Sequence, residues 1–138
     1  MSESIRVALK SGGPGRTVAL LLASAFFLAA GIGHFTHADF FVAIMPPYLP
    51  AHLELVHLSG VFEIVGGVGL LLPQVRRAAG IGLIALLIAV FPANLHMAMN
   101  PGLFPDMAPL ALYIRLPFQL VFAIWLLRVS QPQEVSPA

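Results

Sequence analysis

The 138-residue chain contains no cysteine and very little charge. Without cysteine there can be no disulfide bond, no thiolate metal ligand and no cysteine nucleophile. Only 9% of the residues are Asp, Glu, Lys or Arg, against about 25% in an ordinary soluble domain. The formal net charge of +1 offers no basic field for nucleic acid. These deficits exclude a soluble enzyme and a disordered protein.

Hydrophobic residues make up 59% of the chain and concentrate in four long stretches. A helix needs about 20 apolar residues to cross a bilayer, whereas a barrel strand alternates over about ten. The stretches therefore predict an all-α polytopic membrane protein with a four-transmembrane-helix bundle over residues 17–128. Residues 1–16 are expected to form a cytoplasmic N-terminal segment, and residues 129–138 a disordered cytoplasmic tail. The four stretches are Thr17–His34, Leu55–Leu72, Ala78–Ala98 and Ala108–Leu127.

The basic residues predict the orientation of the bundle. Cytoplasmic loops of membrane proteins carry an excess of Lys and Arg. Both the first and the third connections lack Lys and Arg. We therefore expect both termini and the short second connection to be cytoplasmic, with the first helix uncleaved. Six of the seven basic residues obey this rule: Arg6, Lys10, Arg16, Arg76, Arg77 and Arg128.

The first connection contains a short apolar segment, Phe40–Ile44, that is too short to span a membrane. Asp39 is expected to cap the N-terminus of a short helix there, and Pro46 and Pro47 to end it. Such a segment favours the outer membrane interface. It serves there either as a lid on the bundle or as an interfacial anchor.

Glu63 is the ionisable residue placed deepest in an apolar stretch. It lies nine residues after Glu54, about 13–14 Å along the second helix and near the membrane midplane. A charge at that depth costs roughly 2.5–3.5 kcal/mol, so the carboxyl must be neutral or paired with a cation. It is either a proton-relay or ligand-binding group, or a hydrogen-bonding contact between helices. We favour the first role, because Asn or Ser would connect helices at lower cost.

The third and fourth helices carry further polar residues. Arg115 and Gln119 are four residues apart and share a helix face. We expect Arg115 to pair with Glu63 or to join it in a network, rather than to extend outward to the interface. Asn94 and His96 diverge by about 200° on a helix. Asn94 is therefore the residue expected to face the bundle interior.

All five histidines, together with Asn94 and Arg115, fall at or near the predicted outer side. This asymmetry predicts a polar cavity in the outer half of the bundle, open to the extracytoplasmic face and floored near Glu63. We expect no metal site, because the single Glu54-x-x-His57 motif stands at a membrane edge, whereas di-metal bundles use two such motifs. The predicted ligand-binding residues are His34, His57, Glu63, Asn94, Arg115 and Gln119.

Several short segments between Arg16 and Leu127 resemble the DoxX-like family (DoxX/MauE superfamily) of small four-helix membrane proteins. This resemblance implies a bacterial cytoplasmic (inner) membrane location. It also implies kinship with quinone-linked sulfur oxidoreductase subunits, redox-stress complexes and electron-carrier maturation proteins. The absence of cysteine removes direct thiol chemistry. The segments are Gly31–Phe35, Met45–Pro50, Ser59–Gly67, Leu72-Pro73, Arg76–Ala78, Phe91–Asn94 and Arg115–Gln119.

Two functional hypotheses follow. The first is an accessory membrane subunit that binds a small lipophilic, quinone-like ligand in the outer cavity near Glu63. No cofactor is identified beyond a quinone, and no complete catalytic constellation is visible. The alternative is a non-catalytic assembly, chaperone-type or structural protein. The expected partners are the lipid bilayer and a redox-complex or other membrane protein or a second copy of the chain, and no nucleic acid. A proton-coupled transporter would need an oligomer, because four helices are few.

Overall fold

A computed structural model describes residue 3 and residues 12–132 of the chain. The described residues form helices and connecting segments, with no strand among them. This confirms the all-helical prediction. The helices are α1 (Gly13–Thr36), α2 (Ala38–Ala43), α3 (His52–Leu71), α4 (Arg76–Met99), a 3-10 turn (Pro101–Leu103) and α5 (Pro109–Val129).

Four of these helices, α1, α3, α4 and α5, are long and apolar enough to span a membrane. They contain 20 to 24 residues, and their most apolar windows have a mean hydropathy of 1.5 to 2.2. Large apolar side chains such as Val65, Ile88 and Leu120 are exposed on their outer faces. Water would penalise such a surface, whereas lipid does not. These features are consistent with the predicted multi-pass membrane protein.

The four long helices run alternately up and down, so the bundle has two distinct ends. The termini end holds the start of α1 and the end of α5, and the loop end holds α2. Helix α1 packs mainly on α3, α3 on α4 and α4 on α5, while the contact between α1 and α5 is sparse. The rings of Phe26 and Phe27 pack against Phe122 across that seam. The main core is formed by Ala23, Phe27, Leu70, Leu83 and Leu126.

The short helix α2 differs in detail from its prediction. It begins at Ala38, its N-cap is His37, and no side chain caps it. The prediction that Asp39 is the cap is wrong, because the helix starts earlier than expected and Asp39 lies inside the first turn. There its carboxylate is placed favourably near the positive end of the helix dipole. Beside α2, an apolar cluster of Ile44, Met97 and Leu112 closes the loop end.

Basic residues at the termini end bind helix C-termini. The last carbonyls of a helix have no partner within the helix, and Arg side chains can satisfy them. Arg16 Nη2 donates to the Val129 carbonyl at 3.1 Å. Arg76, which is 5% exposed, donates from Nε to the Leu70 carbonyl at 2.7 Å. The charge pattern of the sequence indicates only an orientation, so this second role of the arginines was not predicted.

The predicted terminal segments are described in part. Helix α1 starts at Gly13, inside the segment expected before residue 17. Ser130, expected in the tail, follows the last residue of α5 and is buried. The rest of the tail prediction, residues 133–138, and the predicted cytoplasmic residues 4–11 lie outside the described residues.

The contact between α1 and α3 depends on two facing glycines. A Cβ added at Gly31 would lie 2.8 Å from the Gly60 carbonyl oxygen, and one added at Gly60 would lie 2.9 Å from the Gly31 carbonyl oxygen. Both atoms belong to the backbone, which cannot move aside without shifting a helix. Small residues at such positions allow close helix approach in membranes, and here they place α1 directly against α3.

We therefore expect Gly60→Ala to lower the free energy of unfolding by roughly 1–3 kcal/mol, because overpacking forces the backbones apart. Gly82→Ala is the matched control, since nothing lies within 4 Å of an added Cβ there. It should be neutral or stabilising by up to about 1 kcal/mol through helix propensity. Unfolding in mixed micelles, followed by circular dichroism, measures both. Equal effects of the two substitutions would contradict the close-approach interpretation.

Candidate functional site

A cavity of about 470 Å³ lies inside the bundle, between the main core and the loop end. Its walls come from α1, α3 and α4, with the α2 segment beside them, and α5 contributes one lining residue. Most of the lining is apolar, including Phe27, Phe41 and Val90. The volume falls within the range of small-molecule sites. The polar lining residues are His34, Ser59, Glu63, Asn94 and Arg115.

His34 and Glu63 meet at this cavity although their backbones lie at different depths. The Cα–Cβ bonds of a helix tilt toward its N-terminus, and α1 and α3 run in opposite directions. The His34 side chain therefore leans away from the loop end, and the Glu63 side chain leans toward it. His34 Nε2 and Glu63 Oε2 are 3.3 Å apart, with side chains 9% and 13% exposed.

A proton between these two groups would satisfy both of them. His34 Nδ1 is 2.9 Å from the Val56 carbonyl oxygen, which can only accept, so Nδ1 carries a hydrogen. In a neutral imidazole Nε2 is then an acceptor, and it faces Glu63 Oε2, a buried carboxyl oxygen with no hydrogen-bond partner among the described residues. Two acceptors in buried contact repel each other unless they share a proton. Either Glu63 is protonated and donates to Nε2, or His34 is an imidazolium.

Phe41 holds the His34 ring from a second side. The two rings stack at a centroid distance of 4.0 Å and an interplanar angle of 29°. Phe41 belongs to α2, so the short helix contacts the polar group directly and forms part of the cavity wall. Movement of α2 as a lid, one of the two roles that the sequence allows, stays a prediction.

A second polar contact joins α4 to α5. Asn94 Nδ2 donates to Gln119 Oε1 at 2.8 Å, and Gln119 Nε2 donates to the Leu87 carbonyl. Pro92 removes a backbone donor from this part of α4 and Pro117 does so in α5, which loosens both helices. Asn94 lines the cavity, and Gln119 contacts it from outside the lining. Gln119 therefore positions Asn94.

Arg115 does not form the ion pair predicted for it. No carboxylate of the described residues lies within 4.0 Å of its guanidinium, and the partner of Glu63 is His34. The reason is helix order, because α5 packs against α4, whereas α3 packs against α1 and α4. Arg115 and Glu63 thus come from helices that are not direct neighbours. They share the cavity without touching.

The structure brings together four of the six predicted ligand-binding residues: His34, Glu63, Asn94 and Arg115 line the cavity. Gln119 lies behind Asn94, as described above. His57 does not line the cavity and instead stacks on Phe35 at a ring distance of 5.1 Å. His57 and Glu63 are six positions apart on α3, so their side chains point about 120° apart around the helix axis.

The predicted ligand-binding residues leave out the polar lining residue Ser59 and the aromatic residue Phe41, which stacks on His34. Ser59 lies one helical turn before Glu63, and this spacing places both on one face of α3. The i, i+4 relation was therefore a usable signal for Ser59. Phe41 carried no such signal, because its stacking on His34 depends on how α2 folds back over α1.

A comparison with family models matches residues 22–130 to a domain of unknown function, DUF8561. The match covers most of the chain, and the chain belongs to this family. No curated protein and no solved structure matches the chain significantly.

This family assignment shows that the expected DoxX-like membership is wrong, since the matching family is a different one. The segments that suggested it are short and consist mainly of glycine, proline and apolar residues. Such segments recur wherever helices pack closely in a membrane. The bacterial location and the redox kinship that the resemblance implied lose their basis with it.

The shared proton leads to a prediction about Glu63 variants. Glu63→Gln should stay within about 1 kcal/mol of the parent stability, because the amide N–H can donate to His34 Nε2. Glu63→Ala should cost roughly 1–3 kcal/mol, because it leaves a buried acceptor without a donor. Glu54→Ala, at an exposed position on the same helix, controls for loss of a carboxyl. Chemical unfolding in mixed micelles measures all three. A Gln variant as unstable as the Ala variant would contradict the shared proton.

Proposed function

We propose that this member of the DUF8561 family is an accessory membrane protein that binds a small lipophilic molecule in the cavity near Glu63. The observation that carries the proposal is the cavity itself, which combines apolar walls with a few converging polar groups. That combination is typical of small-molecule sites, where apolar walls supply burial and polar groups fix orientation. The molecule's apolar body would lie along Phe27 and Val90, and its polar head beside His34, Glu63 and Arg115.

A quinone-like molecule is one candidate for this ligand. Its ring oxygens accept hydrogen bonds, which Arg115 can donate, and its ring can pack on the aromatic wall. The His34–Glu63 pair lies next to the cavity, and a proton shared by this pair can exchange with a bound ring hydroxyl. Redox chemistry at this site would need a partner protein that carries the electrons.

We also propose that the loop end faces the extracytoplasmic side and that both termini are cytoplasmic. Four arginines support this orientation, and all of them lie at the termini end of the bundle: Arg16, Arg76, Arg77 and Arg128. Loops rich in Lys and Arg remain in the cytoplasm. The cavity would then lie in the outer half of the membrane.

Ligand retention tests the binding proposal. We expect native mass spectrometry of the protein in lipid nanodiscs to detect a retained small molecule. Glu63→Gln should lower its occupancy by roughly tenfold or more, because a hydrogen bond to an ionisable group is lost at the head. The matched control is Glu54→Gln, an exposed position on α3, which should retain the molecule. Empty spectra for the parent protein would reject the proposal and favour the alternative, a structural or assembly role.

The orientation is tested by single cysteines, since the chain has none of its own. Asp106→Cys, in the exposed connection at the loop end, should react with a membrane-impermeant maleimide on intact cells. Gln74→Cys, exposed between α3 and α4, should react only after lysis. The reverse pattern would overturn the orientation.

A further inference from the structure

Three ionisable side chains line the cavity: His34, Glu63 and Arg115. The hydrogen bond from His34 Nδ1 to the Val56 carbonyl leaves Nε2 facing Glu63 Oε2 at 3.3 Å, a buried contact that is favourable when the two groups share one proton. With that proton the pair is neutral overall, whether it exists as imidazole and carboxylic acid or as imidazolium and carboxylate. The pair therefore supplies no net negative charge to balance another cation in the cavity.

The positive charge of Arg115 therefore has no negative charge beside it in the cavity. Its guanidinium forms no hydrogen bond and no ion pair with any residue in the described part of the chain. It is half-buried and lies six residues after Pro109, about 9 Å along α5 from the loop end. Intramembrane arginines normally pair with a carboxylate or with backbone carbonyls. At the termini end of this same protein, Arg16 and Arg76 bind backbone carbonyls in that way.

We infer that the cavity binds a single-chain lipophilic anion whose oxyanion head pairs with Arg115. This inference rests on the proposed small-molecule function and deepens it by naming the charge of the ligand. A planar carboxylate or a phosphate can accept two parallel hydrogen bonds from a guanidinium. The apolar body then lies along the hydrophobic wall, and the neutral His34–Glu63 pair does not repel the head.

Ligands of other charge fit the cavity less well. A cationic head would meet Arg115 with the same sign of charge in a region of low dielectric, where repulsion is strong. A neutral head, such as that of a quinone or an alcohol, can accept a hydrogen bond but leaves the arginine charge uncompensated. An anionic head accepts hydrogen bonds from the Arg115 guanidinium and also neutralises its charge.

Matched single-chain probes test this inference: dodecanoate, dodecyl phosphate, dodecanol and dodecyltrimethylammonium. Each is titrated into the full chain in nanodiscs of zwitterionic lipid, and binding is followed by thermal unfolding through the fluorescence of Trp125, the one tryptophan. We expect one of the two anions to bind at least tenfold more tightly than dodecanol, and the ammonium probe not to bind. Tighter binding of the carboxylate indicates a free acid as the natural source, and tighter binding of the phosphate indicates a phosphorylated lipid.

Substitutions of Arg115 provide the second readout. Arg115→Gln should weaken anion binding by roughly tenfold to hundredfold and leave dodecanol binding within about twofold. Arg115→Lys, which keeps the charge but loses the two-donor geometry, should fall between. Arg128→Gln, an exposed position at the far end of α5, is the control and should bind as the parent does. Because Arg115 has no partner within the described protein, its variants are expected to fold.

The following results would overturn the inference. They are equal affinity for dodecanoate, dodecyl phosphate and dodecanol, a preference for a neutral short-chain quinone over both anions, and unchanged anion affinity in both Arg115 variants. The first two leave a lipophilic site in place, so they reject the charge assignment and not the proposed function. Absence of binding by every probe also rejects the inference. Only in combination with empty native mass spectra does it reject the proposed function.

Discussion

The close backbone contact between α1 and α3 determines where the polar groups of this protein can meet. With hydrogen in place of a side chain at Gly31 and Gly60, the two helices approach until each carbonyl oxygen lies 2.8–2.9 Å from where the other glycine's Cβ would be. At that separation the side chains of His34 and Glu63 bridge helices that run in opposite directions. A wider separation would leave each group facing lipid or an empty space. The contact between His34 and Glu63 at the cavity therefore depends on the close approach of α1 and α3.

The polar side chains inside the bundle differ in whether they have a protein partner. His34 uses one ring nitrogen on a backbone carbonyl and the other on Glu63, while Asn94 is held by Gln119. Among the ionisable lining residues, Arg115 is the one whose side chain forms no hydrogen bond or ion pair with the described residues. A membrane protein has little reason to keep such a residue for stability, because burying an unpaired charge is costly. The unequal pairing supports the proposed binding site over a role in helix packing alone.

The number and approximate extent of the long helices were predictable, because apolar length is a local property of the sequence. The glycines of α3 likewise indicate close helix packing from their residue type and spacing alone. The partner of Glu63 was not predictable, since spacing along one helix does not reveal which helix lies beside it. Arg115 has the depth and the charge expected of a partner for Glu63, but it belongs to α5, which lies on the other side of α4. His34 was predicted as a ligand-binding residue without its contact to Glu63, and the DoxX-like assignment failed because its motifs report helix packing and not ancestry.

The arginines at the termini end bind helix C-termini as well as carrying positive charge. Arg16, Arg76 and Arg77 donate to the carbonyls of Val129, Leu70 and Leu127 respectively. Under the orientation proposed above, the residues that a translocation machinery reads during insertion are also the residues that bind the helix ends in the folded protein. Moving these charges to reverse the orientation would then also remove hydrogen bonds from the C-terminal ends of α3 and α5. Membrane orientation and helix termination would be coupled properties of this bundle.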